Sequence, residues 1–179
     1  MAEMADRCRA VRLFLSDVDG VLTDSGMYYG ERGDELKRFS TLDGGGFYLL
    51  RMVGIECGLL TTEDTALLER RAKKLGIPHV VQNARNKGAA LDDLLSTLGM
   101  SDEEVAYIGD DINDIVVIER VGVSATVPNH CLPDSVTTDY VTSRPGGSGA
   151  VRDFAEWLLR QRGEYDRALA LYLKRIRGL

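Results

Sequence analysis

Short apolar runs alternate with amphipathic segments along almost the whole of this 179-residue chain. Residues 11–16 (VRLFLS), 55–60 (IECGLL), 79–82 (HVVQ), 105–109 (VAYIG), 122–127 (GVSATV) and 139–142 (DYVT) are short and bounded by polar or turn residues, and they read as strands. Between them, residues 65–76 (TALLERRAKKLG) put Leu67, Leu68, Ala72 and Leu75 on one helical face and stop at Gly76. Another helix begins after Asn86 and runs over 87–99. Ser101 and Glu104 form a capping box, a helix follows the acids at 110–114 to about residue 121, and further helices cover 150–162 and the segment after Gly163. Such alternation leaves few solutions: an α/β fold with a doubly wound, Rossmann-like parallel sheet and helices on both faces. The chain length suits one domain spanning 1–179. Two stretches break the pattern. Residues 27–40 flank the turn-rich 30–34 and predict a small β-hairpin insertion. Gly44, Gly45 and Gly46 are expected to lead into a short helix that ends at Gly54.

In a doubly wound sheet, ligands bind beyond the carboxyl ends of the strands. Asp17, Asp19, Thr61, Lys87, Asp110 and Asp111 all fall at such ends. Carboxylates converging in one crevice repel each other unless a cation sits among them. An all-oxygen set without His or Cys suits Mg²⁺. A lysine, a threonine hydroxyl and free amides at a strand-to-helix turn suit a phosphate. Metal, anion site and carboxylate nucleophile together describe phosphoryl transfer.

Other classes fit less well. A net charge of -6 argues against a nucleic-acid binder. No apolar run is long enough to cross a bilayer and no secretory h-region opens the chain, so a cytoplasmic location without membrane partners is expected. Cys8, Cys57 and Cys131 lack C-x-x-C spacing and read as reduced thiols. His79 and His130 have no metal-ligand partner at useful spacing. There is no P-loop sequence. A phosphoacceptor receiver domain would order its acids differently.

DVDG at 17–20, Thr61 after a strand, Lys87, and GDDIND at 109–114 resemble, in order, the four motifs of the haloacid dehalogenase phosphohydrolases. That resemblance implies Asp17 as nucleophile and Asp19 as general acid and then base. It implies Mg²⁺ held by the Asp17 side chain, the Asp19 carbonyl and Asp110, with Thr61 and Lys87 on the phosphoryl oxygens. Asp111 and Asp114 are supporting residues, either orienting the metal shell and Lys87 or capping the next helix.

Neither the Asp19–Thr61 gap nor the Thr61–Lys87 gap has room for a separate cap domain. Residues 17–47, 121–130 and 146–154 are similar to the capless branch acting on phosphorylated 2-keto-3-deoxy sugar acids. For that branch the resemblance implies a homotetramer whose hairpins, here 27–40, cap neighbouring sites. It also implies a site-bordering loop at 146–149, with Arg144 or Arg152 near the substrate. Thr62, Glu63, Asp43 and Arg152 are the candidate substrate contacts. Glu63 stands where octulosonate 8-phosphate phosphatases usually have arginine, and Leu42 precedes Asp43 where they tend to have another. Both departures favour a nonulosonate (sialic-acid-like) 9-phosphate substrate, with 3-deoxy-D-manno-octulosonate 8-phosphate as the alternative. A non-catalytic tetramerising module is the alternative of another class, and the intact acids argue against it. The basic tail at 164–179 carries a stripe of Tyr165, Leu169, Leu173 and Ile176 that would suit a subunit interface or an adjacent site.

Overall fold

The computed structural model describes residues 2–33 and 35–178. Six strands, all parallel, form the main sheet: β1 (Leu13–Ser16), β4 (Glu56–Leu60), β5 (His79–Val81), β6 (Val105–Ile108), β7 (Val123–Thr126) and β8 (Tyr140–Val141), in the order β5-β4-β1-β6-β7-β8. Side-chain alternation splits the core into two layers. Phe14, Cys57, Leu59, Ala106 and Ile108 face α1 (Ala2–Ala10), α2 (Thr41–Met52), α3 (Ala66–Leu75) and α6 (Ala150–Gln161). Leu13, Leu15, Leu60, Val105 and Tyr107 face α4 (Lys87–Leu98) and α5 (Ile115–Ile118). This is the doubly wound α/β arrangement expected from the alternation. After β1 the chain builds outward through β4 and β5, then returns to lay β6 on the other side of β1. The strand order therefore reverses between β1 and β6, which is where such sheets open a ligand crevice.

The 27–40 hairpin is present as β2 (Tyr28–Tyr29) paired antiparallel with β3 (Glu35–Leu36), and a bridge between Thr23 and Phe39 closes its base. The glycine run differs from expectation. Gly44, Gly45 and Gly46 do not lead into a helix; they lie inside α2, which starts at Thr41 with the Ser40 hydroxyl capping Leu42 N–H at 3.2 Å. Glycine costs an exposed helix about 1 kcal/mol per residue, but here it permits close packing. A Cβ on Gly46 would lie 2.9 Å from the Arg152 Cα, and one on Gly44 2.9 Å from Leu75. Helices α2 and α6 meet through this smooth face.

The N-terminal helix α1 carries no strong apolar pattern. It is held by Arg7, whose guanidinium donates to the Gly122 carbonyl at 2.8 Å and grips Asp139 with both terminal nitrogens at 2.9 and 2.7 Å. The last helix, α7 (Tyr165–Ile176), packs on α2 of its own chain, with Tyr172 beside Tyr48 at a centroid distance of 6.1 Å. Among the described residues, no helix is long and apolar enough to cross a membrane.

Candidate active site

The fully buried strand β1 delivers Asp17 to the sheet edge, where its N–H donates to the Ile108 carbonyl of β6 at 2.9 Å. The chain then turns sharply at Gly20, which has a φ of +93°. A Cβ there would overlap the Asp110 carboxylate, so glycine at this position admits Asp110 to the site. Residues 146–149 lie against the same turn. Gly147 N–H donates to the Val21 carbonyl at 2.9 Å, and a Cβ on Gly146 would strike the Gly20 carbonyl oxygen.

A cleft of about 280 Å³ opens above these residues. Asp17 and Asp19 form its centre, Thr61, Thr62 and Glu63 line the side beyond β4, Asp111 and Asn113 the side beyond β6, and Ser25, Met27 and Tyr29 the hairpin side. Asp43 and Arg152 do come together, but at the α2–α6 junction rather than in the cleft. The Arg152 N–H donates to Asp43 Oδ1 at 3.2 Å, and the Arg152 side chain pairs with Glu156. The Arg144 side chain packs beside Gly149.

Beneath the cleft lies a buried polar network. Lys87, the first residue of α4, is buried, and its ammonium pairs with Asp17 Oδ1 at 2.8 Å and Asp114 Oδ1 at 2.6 Å. Asp114 Oδ1 also accepts from the Tyr107 hydroxyl, while Oδ2 accepts the N–H groups of Asp110 at 2.9 Å and Asp111 at 3.0 Å. Asp114 therefore does both jobs the sequence left open: it orients Lys87, and it closes a capping box with Asp111 over residues 112–114. Burial works to lower the Lys87 pKa, but the Asp17 and Asp114 carboxylates outweigh it and the net shift is upward.

Oxygens of Asp17, Asp110 and Asp114 lie within 4.8 Å of one another. Both Asp114 oxygens are engaged, whereas buried Asp110 Oδ1 has no hydrogen-bond partner among the described residues. Burial and the neighbouring Asp114 push Asp17 up to about 8, against the pull of Lys87. Burial, Asp114 and Asp111 push Asp110 up to about 7. Crowded, half-partnered hard oxygens of this kind fit a small divalent cation such as Mg²⁺ between Asp17 and Asp110.

Two residues of the site were not anticipated. Tyr107 sits mid-strand in a buried parallel sheet; a buried tyrosine hydroxyl needs a partner, and the acids just downstream were the available ones. Lys37 reaches in from the hairpin and donates to both Asp19 oxygens, at 2.9 and 3.0 Å. It also lies 4.0 Å from the Glu63 carboxylate.

A sequence profile described as haloacid dehalogenase-like hydrolase matches residues 66–131. The 3-deoxy-D-manno-octulosonate 8-phosphate phosphatase KdsC of Escherichia coli K12 is 40% identical over 167 residues, which cover 93% of this chain and 89% of that protein. Its Salmonella typhi counterpart is 42% identical over 158 residues, covering 88% and 84%. The chain belongs to the haloacid dehalogenase-like hydrolases. Among solved structures, the Moraxella catarrhalis 3-deoxy-D-manno-octulosonate 8-phosphate phosphatase, in complex with magnesium, phosphate and KDO, matches with a TM-score of 0.90 and 37% identity over 96% of this chain and 99% of that one.

Proposed function

We propose that this Mg²⁺-dependent sugar-phosphate phosphatase hydrolyses 3-deoxy-D-manno-octulosonate 8-phosphate. The observation that carries the reading is the likeness, along nearly the full chain, to proteins of that name, joined to an acid-lined cleft with Lys87 paired to Asp17 beneath it, an arrangement that suits phosphoryl transfer. The nonulosonate 9-phosphate favoured by Glu63 gives way to the octulosonate reading. Glu63 is half-exposed and already faces the Lys37 ammonium, so its presence in place of arginine does not by itself call for an amine or polyol on the substrate.

In this reading Asp17 attacks phosphorus while Asp19 gives its proton to the departing sugar alkoxide, leaving an aspartyl-phosphate. Asp19 then takes a proton from water as the water oxygen bonds to phosphorus and the Asp17–phosphorus bond breaks. Lys87 holds Asp17 in line, and Thr61 with Lys87 binds the phosphoryl oxygens. The side chains of Asp17 and Asp110 and the carbonyl of Asp19 hold Mg²⁺, which neutralises phosphoryl charge. Thr62 and Glu63 border the sugar. Asp111 caps the turn that aims Asp110. A homotetramer with hairpins closing neighbouring clefts belongs to the same reading, supported by the open cleft and by Tyr29 at the hairpin, which is 71% exposed.

Phosphate release with Mg²⁺ should be measured on octulosonate 8-phosphate and nonulosonate 9-phosphate side by side. The expected result is a higher kcat/KM on the octulosonate, abolished by Asp17→Asn. A preference for the nonulosonate would restore that substrate, and no turnover on either would favour a non-catalytic module. Light scattering on the intact protein reads the assembly, and a monomer at all concentrations would remove the hairpin-capping role.

A further inference from the structure

The hairpin's return strand has its polarity reversed. Leu36 points to solvent at 60% exposure and the Arg38 side chain is 56% exposed, whereas the Lys37 side chain between them is only 1% exposed. Strand alternation accounts for which side Lys37 faces, but not for why a lysine is there. An ammonium withdrawn from water is costly unless a carboxylate meets it. The partner here is Asp19, contacted through both oxygens at 2.9 and 3.0 Å. Among the described residues, the only other hydrogen bond to the Asp19 carboxylate comes from the Thr23 hydroxyl at a long 3.4 Å. The shortest contacts that hold the Asp19 carboxylate therefore come from a residue of the hairpin.

We propose that Lys37 is a positioning residue for proton transfer: it fixes the Asp19 carboxylate toward the leaving-group oxygen and makes the acid–base step depend on the hairpin. This rests on the phosphatase reading of the site, with Asp19 as acid and base, and deepens it. Lys37 exchanges no proton in either half-reaction. In the first half-reaction the proton passes from Asp19 to the departing oxygen; in the second it passes from water to Asp19.

The test uses a graded series of phosphate monoesters, from para-nitrophenyl phosphate, whose leaving group needs no proton, to simple alkyl phosphates, whose leaving group does. The value of kcat/KM reports the steps through departure of that first group. Lys37→Met, neutral and similar in length, should lower kcat/KM on alkyl esters by about 10- to 100-fold, a fraction of the roughly 10²- to 10⁴-fold of a general acid–base group itself, because Asp19 remains in place. On para-nitrophenyl phosphate the loss should be under about threefold, so the leaving-group dependence steepens. KM should stay near wild type and Lys37→Arg should recover part of the loss. In an Asp19→Asn background, Lys37→Met should add little, because the two residues act as one unit.

Equal losses across the series, a rise in KM alone, or additivity with Asp19→Asn would overturn the proposal. Should Lys37→Met fail to fold, the slope of the series in Lys37→Arg decides: unchanged, it overturns the role; steeper, it supports it. No sugar acid enters this series, so failure to hydrolyse octulosonate 8-phosphate would count against the substrate reading and leave the Lys37 test standing.

Discussion

Replacing Asp114 with asparagine tests whether the buried network beneath the cleft organises catalysis or only structure. The carboxylate accepts four hydrogen bonds, from Lys87, Tyr107 and the N–H groups of Asp110 and Asp111. An amide has one acceptor oxygen, so its NH₂ must face either the lysine and tyrosine or the two backbone donors. Two acceptor contacts are lost, each worth about 1.5–3 kcal/mol when a charged group takes part. Lys87 also loses one of its two counter-charges. Against this, Asp114 raises both Asp17 and Asp110, and its neutralisation relieves that repulsion. The balance is a net destabilisation of about 2–4 kcal/mol, below the roughly 3–5 for breaking a buried pair outright. Urea unfolding at pH 7 with chelator present measures it. With Lys87 free to swing toward Asp17 alone, kcat/KM on para-nitrophenyl phosphate should fall about 100-fold, the scale of small misplacements of a catalytic group. Tyr107→Phe, which removes one of the four donors and keeps the charge, should cost about 1 kcal/mol. Asp114→Asn losing less than about 1 kcal/mol with kcat/KM intact would show that the network is not what holds Lys87 in place.

Asp17 and Asp110 sit above the ordinary 3.8, so between about pH 4 and pH 8 the native chain without a cation binds more protons than the unfolded chain and loses stability as pH rises. Mg²⁺ favours the ionised carboxylates, and the Tm gained on adding it should be larger at pH 8 than at pH 5.5; equal gains would count against an ion between these two residues. Asp43, pushed up to about 6 chiefly by burial, imposes a penalty that grows from about pH 4 to pH 6 and persists above. Asp43→Asn keeps an acceptor for the Arg152 N–H while removing the charge, so its stability relative to wild type should improve by on the order of 1–3 kcal/mol between pH 4 and pH 7. A pH-independent difference in urea midpoints would contradict that. Gly146→Ala should lower kcat sharply although the residue is far from Asp17 in sequence, because the new methyl group strikes the Gly20 carbonyl; unchanged kcat would mean the loop yields without disturbing the DVDG turn.

The sheet was legible because its four central strands, β4, β1, β6 and β7, are short, mostly apolar runs buried over nearly their whole length, and helices α3 and α4 carry their own stops at Gly76 and Gly99. The acids at the strand ends were legible because that is where the sequence changes from apolar to acidic. Helix α2 was not. Three consecutive glycines argue locally for a loop, and only the approach of α6, more than a hundred residues later, makes them helical. Helix α1 escaped notice for a related reason, since Arg7 reaches partners at Gly122 and Asp139 that no local pattern announces. Asp43 entered as a candidate through the family resemblance, and its neighbour in space is the start of α6. Lys37 was hidden by the hairpin itself: alternation says that one face turns inward, and nothing in Leu36-Lys37-Arg38 says that the inward face is the charged one.

The two aspartates to which the proposed reaction assigns nucleophile and acid–base are thus held in contrasting ways. Asp17 is backed by Lys87 on α4, inside a network of buried groups whose supports are strand ends and a helix N-terminus. Asp19 is backed by Lys37 on a two-stranded ribbon that is not part of the main sheet. The division follows the chemistry. In the proposed reaction phosphorus is the same in every substrate and rewards a rigid nucleophile, whereas the leaving oxygen carries the part of the substrate that varies; Met27, Tyr29 and Glu63 line the hairpin side of the cleft, from which Lys37 reaches Asp19. A proton donor steered from that side can be brought into line by a substrate that fits the hairpin and left out of line by one that does not. Discrimination would then appear in kcat as well as in KM, although Lys37 itself never touches the sugar.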